Sequence, residues 1–265
     1  MLRFTSLGSG SSGNATLVEA QPQDGARCTR VLVDCGLAPR QLAIRLALRG
    51  LVVADIDAVF VTHEHSDHVG GVLALQRRHG TAVWASAGTW AAATTKVDDA
   101  PTCQLARDGE AIVIGALTLQ PFAVPHDAAE PLQLTCSDGR HRIGILTDIG
   151  EPTSAVAQAL QGCDALLLET NHDPGMLAVG GYPVWLKRRI AGHLGHLANG
   201  QSAALLDACR HDGLRHVVAA HLSRQNNRPE LALAALRGAL GALHTQHMQL
   251  SVADAALGCG WIEIH

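Results

Sequence analysis

The feature that most constrains this chain is a dense run of metal-binding side chains directly behind an apolar segment. Residues 62–68 are Thr-His-Glu-His-Ser-Asp-His and follow Ala-Val-Phe-Val at 58–61. The apolar run predicts a buried strand, on which His63 and His65 would point the same way because side chains alternate along a strand. Asp67 and His68 follow where that strand is expected to turn. One short segment can therefore supply ligands to two neighbouring metal ions.

Composition predicts a soluble globular protein. The chain has 265 residues, of which 47% are hydrophobic and 17% charged, and we expect one domain spanning residues 1–265. The formal net charge of −4 gives no global basic field for nucleic acid, so such a substrate would need local Arg and Lys patches and metal charge. Aromatic residues make up only 3% of the chain, which argues against a stacking platform for single-stranded bases.

Cysteine usage and hydropathy point to the cytoplasm. The chain has seven cysteines and no Cys-x-x-Cys pair, which favours reduced thiols over a disulfide framework. The first five residues lack the basic and apolar pattern of a signal segment, and the apolar stretch at 231–243 is interrupted by Arg237. We therefore expect a cytoplasmic protein that has no membrane segment.

The order of predicted elements is mixed. A turn over Pro22, Asp24 and Gly25 separates the second and third strands, and Asn199 is a candidate helix cap. This order fits a two-sheet α/β sandwich with outer helices better than a doubly wound sheet. The predicted helices are 39–50, 69–79, 152–160, 183–192, 199–211 and 229–243. The predicted strands are 2–7, 14–20, 30–34, 57–62, 82–85, 111–114, 117–124, 132–136, 141–147, 164–169, 215–220, 248–252 and 261–264.

Three further polar residues follow apolar strands, and they complete the predicted metal site. His126, Asp148 and His221 each stand at the end of a predicted strand, where α/β scaffolds display their chemistry. Any one of them alone would be an ordinary loop residue. Together with the cluster at 63–68 they predict a centre for more than one ion. Imidazole suits zinc, iron or manganese, and the carboxylates keep harder metals open.

The glycine-rich segment 8–13 matches G-x-G-x-x-G, and Asp34 follows about 20 residues later, as a dinucleotide site requires. That motif needs a helix next, whereas residues 14–20 predict a strand. The segment is therefore interpreted as a tight turn, and we expect Ser11 and Asn14 to contact substrate, with backbone N–H groups lining the metal site or touching a phosphate.

Four later segments carry weaker signals. Residues 169–173, which include His172, are predicted to orient metal ligands, with direct ligation less favoured. The charge run 187–189 is expected to be a solvated helix face, and the loop 192–196 carries two histidines, of which His196 is the candidate acid. Arg224 and Asn226 form a candidate phosphate clamp, while Asn227 is equally well explained as a cap before Pro229.

The set of motifs resembles the metallo-β-lactamase fold superfamily, which implies a four-layer αββα sandwich in the α/β class. The resemblance implies that two divalent cations are bound, with Asp148 bridging them and Asp34 in a supporting role. The first ion would be held by His63, His65 and His126, and the second by Asp67, His68 and His221.

Within this superfamily the chain is similar to the YycJ/WalJ-like branch, described as 5′→3′ DNA exonucleases. The matching stretches are 8–14, 169–173, 195–199 and 223–227, with Ala198 where that branch has Ser and Gln225 where it has Glu. The resemblance implies a transient DNA substrate, while the oligomeric state is left open.

The hypothesis for the mechanism is attack on phosphorus by a hydroxide that bridges the two cations. Zinc is the first choice of metal and manganese the alternative. Asp67 would orient the hydroxide, and His196 would bond the phosphate or protonate the leaving oxygen. Three rivals stay open: a hydrolase of small phosphodiesters, thioesters or lactams on the same site, a metal-binding protein without turnover, and a dinucleotide-binding protein using residues 8–13.

Overall fold

The computed structural model describes residues 1–22, 25–244 and 248–265. Its backbone forms two compact units: unit 1 comprises Met1–Ala123, Ala128–His141 and Asp254–His265, and unit 2 comprises Val124–Asp127 and Arg142–Ala253. Asp24, part of the predicted turn, lies outside the described residues. The expectation of a single domain stays a prediction.

Unit 1 contains a mixed sheet of seven strands in the order β14-β1-β2-β3-β4-β5-β6. Pairing is antiparallel from β14 to β3 and parallel from β3 to β6. Because β3, β4 and β5 run in the same direction, their carboxyl ends lie at one edge of this sheet. The strands are β1 (Leu2–Gly8), β2 (Ala15–Ala20), β3 (Thr29–Val33), β4 (Ala58–Phe60), β5 (Ala82–Ala85), β6 (Gln104–Leu105) and β14 (Ile262–Ile264).

Three more strands of unit 1 pair antiparallel in succession: β7 (Ile112–Ile114), β8 (Leu117–Ala123) and β9 (Leu132–Ser137). The turn from β7 to β8 requires a glycine, because Gly115 has φ +53° and a Cβ there would lie 2.2 Å from Thr29 Oγ1.

Four helices belong to unit 1: α1 (Pro39–Ala47), α2 (Ser66–Val69), α3 (Val72–His79) and α4 (Ala87–Thr94). Helix α1 begins with a proline, whose fixed φ suits the first turn, and α3 ends at Gly80 in the left-handed conformation. Leu46 of α1 and Val72 of α3 are fully buried in one cluster with Leu32 and Val59 of the sheet. Each such side chain contributes about 1.5–3 kcal/mol through burial, which holds the helices on the sheet.

Unit 2 contains four parallel strands in the order β13-β12-β11-β10. Parallel strands need crossover connections, and helices supply them here. Because all four strands run the same way, the residues after β10, β11 and β12 lie along one edge. The strands are β10 (Arg142–Leu146), β11 (Ala165–Glu169), β12 (His216–Ala220) and β13 (Gln249–Val252), and the helices are α5 (Ser154–Leu160), α6 (Pro174–Val179), α7 (Val184–Ile190), α8 (Asn199–Cys209) and α9 (Pro229–His244).

The structure corrects several predicted elements. The helix expected over 69–79 begins only at Val72, and a separate short helix, α2, precedes it and ends at Val69. Helices α4 and α6 and the two-residue strand β6 were not predicted. Asn199 is not a cap: Ala198 occupies that position, and the buried Asn199 side chain bonds Asn227 instead.

Within the described part of the chain, no helix has the length and apolar character needed to cross a membrane. All seven cysteines are free thiols.

Candidate metal centre

Three predicted site residues adopt an unusual backbone conformation at the ends of strands. Asp34, Asp148 and His221 have φ of +61°, +55° and +52° and follow β3, β10 and β12 within two residues. Only one other non-glycine residue in the described chain, Asp99, has a positive φ. Each such conformation costs on the order of 1 kcal/mol, and strain of this kind concentrates at functional sites. The backbone thus marks the same strand ends as the sequence pattern.

In unit 1, His63 and His65 bring two ring nitrogens together. Nε2 of His63 lies 3.0 Å from Nδ1 of His65, and the rings meet edge to face with centroids 4.6 Å apart. Two imidazoles on one tetrahedral zinc ion, at about 2.0–2.1 Å each, place their nitrogens about 3.3 Å apart. His63 is fully buried, so the surrounding protein atoms rather than solvent hold its ring in this position. The pair therefore fits a shared ion.

Hydrogen bonds set which nitrogen of His68 carries the proton. Its Nδ1 lies 2.7 Å from Oδ2 of Asp34, a carboxylate that accepts a hydrogen bond from the Nδ1–H and so leaves the lone pair of the ring on Nε2. Nε2 in turn lies 3.7 Å from Oδ2 of Asp67. Asp34 therefore lies where it can orient His68, while Asp67 and His68 present potential ligand atoms side by side. The supporting role expected of Asp34 stays a prediction.

Thr62 sets the tautomer of His63 in the same way. Its backbone N–H and its hydroxyl donate to the two carboxylate oxygens of Asp34 at 2.8 and 2.9 Å. The hydroxyl oxygen, 3.0 Å from His63 Nδ1, then accepts a hydrogen bond from the Nδ1–H, which leaves the lone pair of His63 on Nε2. Thr62 is not among the site residues that the sequence predicted. Its position between the strand and the first histidine was the available signal.

The loop that carries these ligands is packed against the turn after β3. A Cβ on Gly36 would lie 1.8 Å from the carbonyl oxygen of Asp67, so the close approach requires glycine there. Cys35 N donates to the His68 carbonyl at 2.8 Å, and Asn14 N donates to the Asp67 carbonyl at 2.7 Å. Backbone contacts therefore fix the positions of the Asp67 and His68 side chains.

Asn14 lies among the ligands of unit 1. Its side-chain nitrogen is 2.9 Å from Nε2 of His68 and 3.3 Å from Oδ2 of Asp67, and its oxygen accepts from Gly10 N at 2.8 Å. Ser11 is exposed on the turn. The turn leads directly into strand β2, so the helix that a dinucleotide site needs is missing there. Substrate contact by Ser11 and Asn14 stays a prediction.

In unit 2, four side chains from the strand edge and a loop form one cluster. Asp148, Glu169, His196 and His221 each offer a ligand atom, and these atoms lie within 4.8 Å of one another. Nδ1 of His221 is 3.0 Å from Asp148 Oδ2, and Nδ1 of His196 is 2.8 Å from Glu169 Oε1. Asp148, Glu169 and His221 are all at most 2% exposed.

The charges of this cluster call for a cation. Burial lowers the pKa of His221, but Asp148 and Glu169 outweigh it and raise that pKa to about 10. Burial raises the pKa of Glu169, whereas His196 and His221 bring it down to about 2. Burial lowers the pKa of His196 as well, but the neighbouring Glu169 outweighs burial, so that the pKa is raised overall. Two buried carboxylates need positive charge nearby, which the two protonated histidines supply here and which a divalent ion would supply in their place. The donor set therefore fits a metal.

Glu169 is the residue that sequence analysis undervalued. The sequence placed it in the segment 169–173, which was predicted to orient metal ligands, and gave it no individual role. In the structure it is fully buried, bonds His196, and accepts from the backbone N–H of Ile149 at 2.9 Å. The signal was present in the sequence, because an acidic residue ended an otherwise apolar strand at 165–169.

His126 is held by the loop that carries His196. Its Nδ1 lies 3.1 Å from the carbonyl oxygen of Gly195, so the ring donates there and keeps its lone pair on Nε2. The rings of His126 and His196 have centroids 5.6 Å apart. A Cβ on Gly195 would lie 2.2 Å from the carbonyl oxygen of Arg189, so this loop also depends on a glycine. The structure of unit 2 thus brings His126 beside the loop of the candidate acid.

His172 lies outside these clusters. It is 2% exposed, its Nδ1 has no hydrogen-bond partner, and burial lowers its pKa. Its backbone oxygen accepts from Asn199 N at 2.8 Å, which ties the segment after β11 to α8. A role in orienting ligands stays a prediction for His172.

The loop 223–228 is tied into unit 2 by asparagines. Asn227 donates from its side chain to the carbonyls of Thr170 and Asn171 and accepts from Arg228 N at 2.9 Å, so it both anchors the loop and lies at the start of α9. Asn226 is 1% exposed and its side-chain nitrogen lies 3.4 Å from Ser223 Oγ, whereas Arg224 is exposed. Of the predicted phosphate clamp, only Arg224 reaches the surface, and the clamp stays a prediction.

Comparison with known proteins places the chain in a family. Residues 29–222 match the model of the beta-lactamase superfamily domain. Exodeoxyribonuclease YycJ of Bacillus anthracis is 34% identical over 233 residues, which cover 87% of this chain and 86% of the relative. Exodeoxyribonuclease WalJ of Streptococcus pneumoniae is 33% identical over 235 residues, covering 87% and 85%. The crystal structure of the metallo-beta-lactamase fold protein YhfI of Bacillus subtilis superposes with a TM-score of 0.73 at 15% identity, covering 99% of this chain and 100% of that one.

The chain therefore belongs to the beta-lactamase superfamily and is a metal-dependent hydrolase. Within the superfamily it falls in the YycJ-like branch. The predicted metallo-β-lactamase fold is confirmed, as is the predicted enzyme class. The two rivals without hydrolytic turnover, a passive metal-binding protein and a dinucleotide-binding protein, are wrong.

Proposed function

We propose that this hydrolase is a 5′→3′ exonuclease that acts on DNA with two divalent cations. The observation that carries the proposal is the similarity, over 87% of the chain, to relatives named exodeoxyribonucleases. The separate geometry of the two ligand clusters supports the metal dependence. The substrate follows from the relatives, since the net charge of −4 does not select nucleic acid.

The ligands are assigned to two ions, as the resemblance implies. His63, His65 and His126 would hold the first ion, Asp67, His68 and His221 would hold the second, and Asp148 is assigned to both. Nε2 of His63 is 3.0 Å from Nδ1 of His65, and His221 Nδ1 is 3.0 Å from Asp148 Oδ2, which are spacings that ligands of one ion adopt. Zinc is the first choice for this donor set, and manganese is the alternative.

The cations, when bound, polarise the phosphodiester, lower the pKa of water and neutralise charge that develops on phosphate oxygens. The chain's residues do the rest. Asp67 accepts a proton from the attacking water and orients it. Asp34 accepts a hydrogen bond from Nδ1 of His68 at 2.7 Å, and Thr62 accepts one from Nδ1 of His63 at 3.0 Å. These bonds orient both rings and keep the lone pair of each on Nε2.

His196 is assigned to the phosphate or the leaving oxygen. Its Nδ1 is held by Glu169 at 2.8 Å, which fixes the ring plane and leaves Nε2 to bond the substrate. The side chain is 21% exposed, whereas the ring of His221 beside it is 2% exposed, so a substrate reaches His196 from solvent. Glu169 acts here as a positioning residue.

The remaining contacts are proposed from sequence. Arg224 and Asn226 hold a phosphate of the strand, and Ser11 and Asn14 approach it from the glycine-rich turn. Arg224, which is exposed, is the strongest of the four because a guanidinium pairs with phosphate in a bidentate geometry. Contact with DNA is transient, and the cytoplasm is the proposed location, supported by seven free thiols.

A substrate panel tests the proposal. Metal-loaded protein is incubated with a 5′-phosphorylated single strand labelled at its 3′ end, bis-p-nitrophenyl phosphate, a glutathione thioester and nitrocefin. We expect stepwise shortening of the strand from its 5′ end, weak hydrolysis of the small phosphodiester, and no turnover of the other two. Turnover of the thioester or nitrocefin without DNA cleavage would contradict the proposal. Shortening from the 3′ end would contradict its polarity alone.

A further inference from the structure

An exposed aromatic and basic surface lies on helix α7, next to the loop that carries His196. The helix spans Val184–Ile190 and contains Trp185, Lys187, Arg188 and Arg189. Trp185 is 66% exposed and Val184 is 64% exposed. Large apolar side chains exposed together, with polar neighbours around them, mark a surface that another molecule covers.

The side chains of this surface share one helix face. Positions three and four apart on a helix are neighbours, so Trp185 lies beside Arg188 and Arg189, and Val184 lies beside Arg188. We call these four residues, Val184, Trp185, Arg188 and Arg189, the α7 face. An indole flanked by guanidinium groups offers a flat surface and positive charge together.

The charge of this region differs from that of the chain as a whole. Residues 174–206 contain no Asp or Glu, and their only Lys and Arg residues are the three at 187–189, whereas the whole chain carries −4. Arg189 is paired with Asp127, and Lys187 donates to the Ala178 carbonyl at 2.7 Å. Arg188 makes no such contact within the described part of the chain and is exposed. Its charge is therefore available to an anionic partner.

Helix α7 is connected to the proposed acid. His196 N donates to the Ile190 carbonyl at 2.9 Å, and Asp127, the partner of Arg189, bonds the loop through Leu194 O at 3.0 Å. Trp185 precedes Ile190 by five residues, which is about 7.5 Å along the helix axis. A stacked strand advances about 3.4 Å per nucleotide, so about two nucleotides span that length of helix.

We propose that the α7 face binds the single-stranded segment of the substrate that follows the nucleotide being cleaved, with a base stacked on Trp185 and a phosphate paired with Arg188. This inference rests on the proposed function and names a surface that contacts the DNA strand beyond the bond being cleaved. Aromatic residues are few in the chain, so composition argues against an extended platform. One exposed indole beside an unpaired arginine is enough to hold one base and one phosphate.

Binding is tested on metal-loaded protein with a labelled, phosphorothioate-linked oligodeoxythymidine, which resists cleavage. Trp185→Ala should weaken binding by roughly 5- to 100-fold, while Trp185→Phe should retain most of it, because stacking needs an aromatic ring. Arg188→Ala should lower the slope of log affinity against log salt by about 0.7, whereas Trp185→Ala should leave that slope unchanged. Quenching of tryptophan fluorescence by the strand should disappear in Trp185→Ala.

The matched control is Arg215→Ala. Arg215 is also exposed in unit 2, but it directly precedes β12, at the end of the parallel strands opposite the ligand cluster. We expect this variant to bind the strand and hydrolyse bis-p-nitrophenyl phosphate like wild type. Trp185→Ala should hydrolyse that small substrate normally as well, because the compound does not reach the α7 face.

The outcomes separate this inference from the proposed function. Wild-type protein that binds the strand through Trp185 without cutting it would leave the inference standing and remove the exonuclease assignment. Cleavage of DNA with unchanged strand affinity in Trp185→Ala would overturn the inference alone. A change in sedimentation of Trp185→Ala without a change in strand affinity would assign the α7 face to contact between protein copies, and would overturn it too.

Discussion

The two ligand clusters are built in different ways. In unit 1 the ligands come from one segment, 63–68, and the support comes from Asp34 and Thr62 behind it. In unit 2 they come from the ends of separate strands and from a loop, and the cluster is rich in buried carboxylate. The first depends mainly on imidazole geometry and the second mainly on charge, so the same kind of substitution should have different effects in the two clusters.

Asp148→Ala should have the largest effect, because it removes the carboxylate assigned to both ions and leaves His221 without its bond of 3.0 Å. We expect loss of bound metal and of hydrolysis on every substrate. Metal content by mass spectrometry and turnover of bis-p-nitrophenyl phosphate measure this. A variant that lacks metal and still hydrolyses the substrate at the wild-type rate would refute the bridging assignment.

His196→Ala should come next and should separate chemistry from metal binding. Turnover is expected to fall by roughly 10²–10⁴-fold, the range for loss of a general acid, while metal content stays at the wild-type level. His211→Ala is the control, since that histidine also lies in unit 2 but precedes β12, at the end of the parallel strands opposite the cluster. Unchanged turnover in His196→Ala would reduce the residue to a packing role.

Glu169→Gln and Asp34→Asn sharpen the comparison of the clusters. Each removes one negative charge and keeps the shape, and each loss should lower metal affinity by about 10–100-fold, as for carboxylates that support ligands. Glu169→Gln should also lower turnover at saturating metal, because Glu169 positions His196 at 2.8 Å. Asp34→Asn should recover nearly full turnover once metal is saturating. Titration with zinc or manganese, followed by rate measurement, distinguishes the two, and identical behaviour would contradict the difference between the clusters.

Thr62→Val should have the smallest effect. It removes the hydroxyl that bonds Asp34 at 2.9 Å and His63 at 3.0 Å while keeping the β-branched shape. Loss of this bond should cost about 0.5–1.5 kcal/mol, a change of a few-fold in metal affinity. Thr62→Ser should restore wild-type affinity because it returns the hydroxyl. Equal affinity of Thr62→Val and wild type would mean that the ring of His63 is fixed by burial alone.

The sequence predicted what is encoded locally. The run at 63–68 lies behind a buried strand as expected, and strands such as 82–85 and 117–124 match the observed elements to within a residue. Helix α4 escaped prediction because its sequence, rich in Ala and Thr, shows no apolar periodicity that distinguishes it from a loop. Propensity and spacing predicted most of the elements. The errors are elements without a clear apolar pattern, such as α4, and boundaries set by glycines or a cap, such as those at Gly70 and Asn199.

The candidate site was predictable only in part, for a physical reason. The contiguous cluster of unit 1 is visible in one segment, whereas Glu169 gains its importance from charges that the fold brings within 4.8 Å. The side-chain nitrogen of Asn14 lies 2.9 Å from Nε2 of His68, a contact that the sequence did not predict, and its expected contact with substrate stays a prediction. Contacts across many residues depend on the register and direction of strands, which one sequence does not determine.

The most direct test is the metal content of the purified protein together with its DNA hydrolysis. We expect two divalent cations per chain, loss of strand cleavage when a chelator removes them, and recovery of cleavage when zinc or manganese is returned. Cleavage of DNA that continues at the wild-type rate after the metal has been removed would contradict this expectation.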